Sequence, residues 1–280
     1  MAQRFHKMHG LGNDFVVFDA RERAVAMSAA RARAIADRHT GIGCDQLILI
    51  EPSDVATAKM RIFNADGGEV EACGNATRCV ATLLGGEPSI ETLGGILSSS
   101  LTTGGASIDM GAPRFEWDAV PLAFAMDTAA LPLGWDGLEP LAAPMALSVG
   151  NPHIIFFVPD THALDLAAIG PVIEHDPVFP ERVNVNVATV ESPDRIRLRV
   201  WERGAGLTLA CGTGACATAV AAIQSGRAKS GVTVSLPGGD LIIDWQPGST
   251  ILMTGPATHV FTGELDLDAF GDAFGDGFGA

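Results

Sequence analysis

Ala72-Cys73-Gly74-Asn75 and Ala210-Cys211-Gly212-Thr213 are two copies of one Ala-Cys-Gly-polar tetrapeptide, and each opens a stretch of small residues that reads as a helix. Each cysteine follows a Gly-Asn pair at the same distance, Asn13 lying 60 residues before Cys73 and Asn151 lying 60 before Cys211. At the 138-residue offset between the cysteines, further matches align without a gap. Val16-Val17-Phe18 falls on Ile154-Ile155-Phe156, and Arg61-Ile62-Phe63 on Arg199-Val200-Trp201. A repeat of this length is a duplicated domain, not a solenoid module. The fold expected is α/β (α+β), in two related halves.

Within each half the elements read alike. Phe15–Phe18, Ile154–Val158, Arg61–Phe63 and Ile196–Trp201 are strand-length apolar or alternating runs. Met27–Arg38 reads as a helix with Ser28 as its N-cap. Ala76–Leu84 and Ala215–Ile223 read as the helices that follow the two cysteines. Gly94-Gly95, Gly104-Gly105 and Pro237-Gly238-Gly239 mark hairpin turns. The stretch from Pro113 to Pro144 has weak periodicity, and the crossover between halves is placed near its start. The halves are therefore expected at 1–117, with 263–269 returning to it, and at 118–262. A Phe-Gly-Asp-Ala tail at 270–280 is expected to be flexible.

A chain of 280 residues with 47% hydrophobic and 18% charged residues can bury a sizeable core. The net charge of −15 argues against nucleic acid or an anionic membrane as partner. No charged-then-apolar leader and no run of about 18 apolar residues is read, so a cytosolic location is expected. In that setting the five cysteines are free thiols.

A helix N-terminus presents unpaired N–H groups and a positive dipole end, which favour a thiolate and bind a carboxylate. Two such turns, each with a cysteine, suit the removal of a proton from one face of a stereocentre and delivery of a proton to the other. Cys73 and Cys211 are the expected acid/base pair, and Cys44, Cys79 and Cys216 are read as core residues. No Cys-x-x-Cys occurs, and His6 and His9 read as ordinary polar residues, so no metal is expected. Gly10-x-Gly12 and Gly41-x-Gly43 lack the third glycine of a dinucleotide fingerprint. None of the three lysines, Lys7, Lys59 and Lys229, sits in a setting suited to a pyridoxal Schiff base. No cofactor is expected.

The sequence resembles the diaminopimelate epimerase family. The likeness rests on Gly10–Phe15, Gly41–Gln46, Asn64–Gly67, Ala72–Asn75, Gly150–His153, Arg182–Asn186, Trp201–Gly204 and Ala210–Gly214. It implies two pseudo-symmetric halves, each a curved mixed sheet around a central helix, with the active site in the cleft between them. It implies a homodimer that interconverts LL- and meso-2,6-diaminopimelate, with a small amino acid as its only ligand. Carried over residue by residue, it makes Cys73 and Cys211 catalytic, with His153 and Glu202 tuning them. Asn13, Gln46, Asn64, Gly74, Asn75, Asn151, Asn184, Glu202, Arg203, Gly212 and Thr213 would bind substrate. Leu207 and Ala76 stand where the family carries Glu and Gly. The alternatives are a same-fold racemase of another amino acid and a redox-sensing dithiol protein.

Overall fold

The computed structural model describes residues 2–71, 73–135 and 143–270. The chain divides into two compact units, residues 1–108 with 256–280, and residues 109–255. The division falls earlier than the sequence places it, at both ends. The final strand, Thr258–Asp266, pairs along its whole length with the first, so the return begins at Pro256 and not at 263. Of the tail expected at 270–280, Phe270 closes a 3-10 turn, Leu267–Phe270, and the remainder, like Ala72, lies outside the described residues.

In the first unit, β1 (Ala2–Gly10) turns through Leu11-Gly12 into β2 (Asn13–Asp19). Both turn residues have positive φ, at 56° and 86°, which a Gly at the second position accommodates. Val16, Val17 and Phe18 are all fully buried, so β2 is covered on both faces. Helix α1 (Ala29–Ala36), capped by Ser28 as expected, carries the chain to β3 (Gln46–Glu51), parallel to β2. Then follow β4 (Ala58–Asn64), antiparallel to β3, the short β5 (Glu69–Val70) and α2 (Gly74–Leu84). After α2 come β6 (Ser89–Thr92), parallel to β4, β7 (Gly95–Thr102) and β8 (Gly105–Asp109). Gly74 to Ala81 are all buried, which makes α2 a central helix and not an amphipathic cover.

The second unit repeats this course. Strands β9 (Met145–Ser148) and β10 (Pro152–Phe157) are antiparallel. Helix α3 (Leu166–Glu174) leads to β11 (Asn184–Ser192), parallel to β10. Strand β12 (Arg195–Glu202), the short β13 (Gly206–Leu207) and α4 (Gly212–Gln224) follow. The sheet continues with β14 (Val232–Leu236), β15 (Gly239–Asp244) and β16 (Leu252–Pro256). In β12, Ile196, Leu198 and Val200 are buried and the alternating arginines are not, as the pattern predicts.

The strand registers show the duplication more directly than the sequence does. Phe15 pairs Gln46 and His153 pairs Asn184; Leu47 pairs Phe63 and Val185 pairs Trp201, each at the 138 offset. Beyond the central helices the offset becomes 144, as Ile90–Leu97 against Val234–Leu241 shows. Part of the extra length lies in α4 itself, 13 residues against 11 in α2.

Candidate active site

In each unit the cysteine is the N-cap of the central helix, with extended backbone: φ is −148° at Cys73 and −118° at Cys211. Gly74-Asn75 and Gly212-Thr213 therefore occupy first-turn positions, whose N–H groups have no carbonyl within the helix to bind. The first residue of β2, Asn13, and the residue just before β10, Asn151, bring an asparagine beside each cap. Asn75 Nδ2 donates to Asn13 Oδ1 (3.1 Å), and Asn151 Nδ2 donates to Thr213 Oγ1 (3.3 Å), both across 62 residues. The sequence-predicted repeat is thus a repeat of side-chain contacts.

In the first unit, Cys73 Sγ lies 3.8 Å from Asn13 Oδ1 as donor. Asn13 Nδ2 donates to Asp45 Oδ2 (3.0 Å), and Asp45 is held by Arg38 Nη2 (2.7 Å). Arg38 and Lys7 also bind Asp14. Burial works against ionisation of Asp14, but the hydrogen bonds from Arg38 and Lys7 outweigh it and hold the carboxyl at about 2. Gln46 and Asn64 face each other on β3 and β4, with Gln46 Nε2 donating to Asn64 Oδ1 (2.9 Å). Gln46 Oε1 is buried and unpartnered, an acceptor open to a ligand's N–H. Asn75 Oδ1 accepts from Arg78 Nη2 (2.8 Å), and Arg78 Nε donates to Pro256 O (3.2 Å).

In the second unit, Cys211 is only 4% exposed, and its sulfur accepts the Gly214 N–H (3.3 Å) and sits 3.6 Å from Thr213 Oγ1. Burial, then the negative charge of Glu202, pushes this thiol well above its ordinary value; hydrogen bonds from Thr213 and Gly214 pull the other way. The helix end was expected to favour a thiolate here. In this arrangement desolvation and Glu202 dominate it, and Cys211 holds its proton. Burial also raises Glu202, against hydrogen bonds from Thr208 and Cys211. Asn184 spends its amide internally: Nδ2 donates to Pro152 O and Oδ1 accepts the Arg203 N–H, each at 2.9 Å. The Arg203 side chain is exposed, with Nη1 on Glu181 O (3.0 Å). His153 is fully buried and contacts Asn151 and Asn186.

Four supporting residues carry no role in the sequence reading. Glu174, 2% exposed, accepts from Trp201 Nε1 (2.7 Å) and the Gly204 N–H (2.9 Å), clamping the turn that presents Glu202-Arg203. Arg78 and Asp45 orient the Asn13–Asn75 pair. Asn186, fully buried, sits two positions from Asn184 and thus on the same face of β11. That i, i+2 pair of carboxamides in an apolar strand, and a lone arginine inside the Ala76–Leu84 run, were the available signals. All five thiols are free. Cys44, Cys79 and Cys216 are buried, and burial pushes Cys44 and Cys79 up to about 12, consistent with core roles. No described helix is long and apolar enough to cross a membrane.

The family model described as "Diaminopimelate epimerase" matches residues 5–116 and 145–260. A diaminopimelate epimerase of Rhizorhabdus wittichii is 67% identical over 272 residues, covering 97% of this chain and 98% of that protein. One from Sphingopyxis alaskensis is 64% identical, over 97% of this chain and all of that protein. Among solved structures, a phenazine biosynthesis protein of the PhzF family from Enterococcus faecalis superposes with a TM-score of 0.70 at 14% identity, covering 95% of this chain and 100% of that one. A hydroxyproline epimerase from Agrobacterium vitis gives 0.63 at 16%, over 97% and 93%. At those identities the likeness is one of fold.

Proposed function

Since the chain belongs to the diaminopimelate epimerase family, we propose that it interconverts LL-2,6-diaminopimelate and meso-diaminopimelate with its own side chains as the bases. The observation that carries this reading is the duplicated cap, a cysteine followed by a first-turn polar residue against which an asparagine at the start of the neighbouring strand is set, in each unit. One sulfur, as thiolate, takes the α-proton; the other, as thiol, gives its proton to the opposite face, and the roles exchange in the reverse direction. The carbanion formed between these steps is stabilised through its carboxylate by the first-turn N–H groups of α2 and α4. In this reading Glu202, hydrogen-bonded to the Cys211 thiol, receives its proton before Cys211 acts as base.

In this reading Arg203 forks onto the distal carboxylate. Gln46, Asn64, Asn13 and Asn151 fix the amino groups and the handedness at the reacting end, and Asn184 joins them through the second lone pair of the Oδ1 that holds the Arg203 N–H. The His153 ring supports the Cys211 side. The product serves lysine and peptidoglycan precursor synthesis. A cytoplasmic homodimer belongs to the same reading: the family resemblance supports the homodimer, and the sequence pattern supports the location. The test is epimerisation by Cys73→Ser and Cys211→Ser. Each is expected to lose at least about 10³-fold in kcat with circular dichroism unchanged. Full activity in either folded variant overturns the reading.

A further inference from the structure

The two caps are pseudo-equivalent, yet their asparagines face opposite ways. Asn13 turns its carbonyl oxygen toward Cys73 and Asn75, and its amide nitrogen toward Asp45. Asn151 turns its nitrogen toward Thr213 and its oxygen toward His153 Nε2 (2.9 Å). A carbonyl can only accept and an amide N–H can only donate, so one cysteine is offered an acceptor and the other a chain of donors.

The second orientation traces back to Asn186. Its Nδ2 lies 3.0 Å from Ile154 O and 3.2 Å from Asn184 O. Two backbone carbonyls demand a donor, which settles which end of the carboxamide is the nitrogen. That same nitrogen lies 3.1 Å from His153 Nδ1. An N–H cannot face an NH2, so Nδ1 carries no proton and the ring hydrogen sits on Nε2. Burial, with the positive charge of Arg203 adding to it, pushes the His153 pKa down to about 3, so the ring is neutral. Nε2–H then donates to Asn151 Oδ1, Asn151 Nδ2 donates to Thr213 Oγ1, and the Thr213 hydrogen is left for the Cys211 sulfur 3.6 Å away. At the 138 offset, Asn186 aligns with Ile48 and His153 with Phe15, so the first unit has hydrocarbon where this chain begins.

We infer that Asn186 is a positioning residue of the Cys211 cap: it fixes His153 as the Nε2–H tautomer and so directs a hydrogen-bond chain whose last donor is the Thr213 hydroxyl on the Cys211 sulfur. The chain makes His153 a neutral relay, not a proton acceptor. It opposes the burial that keeps Cys211 protonated, and gives the two sulfurs different resting roles. The inference rests on the epimerase reading for its purpose, not for its evidence.

The first measurement uses the unaltered protein. Nitrogen-15 NMR of the His153 ring, assigned with a His153→Gln sample, is expected to show the neutral Nε2–H form throughout pH 5–9. An Nδ1–H form, or titration near the usual histidine value of about 6.5, overturns the inference. The second measurement is the rate of Cys211 alkylation by iodoacetamide at fixed pH, located by mass spectrometry. In Asn186→Asp a carboxylate faces Nδ1 and demands a hydrogen there. The chain reverses, Thr213 donates to Asn151, and the alkylation rate falls about tenfold through loss of one hydrogen bond to the thiolate. Thr213→Val is expected to give the same fall with the His153 tautomer unchanged, and the double variant no further fall. A variant that merely loosened the fold would alkylate faster, and that result in either single variant, or an unchanged rate, refutes the chain. If Asn186→Asp fails to fold, the NMR and Thr213→Val decide alone. Epimerisation by the unaltered protein is followed in parallel. Its absence sinks the epimerase reading and leaves these outcomes standing, while a failed relay leaves epimerisation intact.

Discussion

Replacing Gly214 by alanine tests how tightly the Cys211 cap is built. A Cβ there would lie 2.6 Å from Asn186 Oδ1, 3.1 Å from Val200 Cγ2 and 3.2 Å from Cys211 Sγ. The nearest of these cannot retreat freely, because Asn186 Nδ2 is tied to two backbone carbonyls of the strands beneath. Two terms oppose each other. Alanine inside a helix is favoured over glycine by about 1 kcal/mol, and overpacking a rigid interior costs about 1–3 kcal/mol. The net loss is therefore roughly 0–2 kcal/mol, or a melting temperature lower by up to about 8 °C. Activity should suffer far more, since the group pushed aside shares the cap with the sulfur proposed to react; a misplacement of about 1 Å costs on the order of 100-fold. Position 76, the pseudo-equivalent of 214, already carries a fully buried alanine. There the facing strand position is Ile48 and not an asparagine, so Ala76→Gly should lose about 1 kcal/mol and little activity. Differential scanning calorimetry and steady-state kinetics measure both. A Gly214→Ala protein with raised stability, or with wild-type kcat/KM, would refute the geometry.

Three further outcomes are expected. Glu202→Gln removes the charge that raises the Cys211 thiol, so its pKa falls and its alkylation at fixed pH speeds up, while kcat drops for want of a proton acceptor; iodoacetamide kinetics across pH read the first effect and turnover the second. Arg203→Ala should raise KM for diaminopimelate about 10- to 100-fold, by loss of charge-assisted hydrogen bonds, yet leave the binding of a monocarboxylate analogue unchanged in a competition assay. Asp14→Asn should cost on the order of 1 kcal/mol of stability at neutral pH, the shift being discounted because its Arg38 partner is largely exposed to solvent. The folded carboxyl titrates at about 2, below its unfolded value, so that stability is present above about pH 4 and lost as pH falls toward 2; urea melts at pH 7 and pH 2 should show the difference between variant and parent disappear.

Much of the fold was legible because local pattern and tertiary demand agree. The alternation in Arg195–Glu202, the Ser28 cap and the glycine pairs at the hairpins all sit where the sequence puts them. The spacing of Asn13 and Cys73, repeated at Asn151 and Cys211, carried real contacts. What stayed hidden depends on partners far away in sequence. The pairing of Thr258–Asp266 with the first strand moves the division of the chain, and no local signal marks it. The helix Leu166–Glu174 contains Pro171 and starts from an Asp165 cap, features that separately suggest a loop. The direction in which the Cys211 thiol is pushed follows from burial and from Glu202, neither visible in a helix-end pattern. Asn186 and Glu174 act only through neighbours brought to them by the fold; the carboxamide pair at 184 and 186 marked a position but not its role, and Glu174 carried no mark.

The most direct test of the central claim is the early time course in heavy water with LL-diaminopimelate. Two-base chemistry at Cys73 and Cys211 predicts that each first-formed meso product carries one solvent deuterium at the inverted α-carbon, while recovered LL substrate remains unlabelled. Meso product that keeps the substrate's own hydrogen, or LL substrate that gains deuterium as fast as product forms, would contradict it.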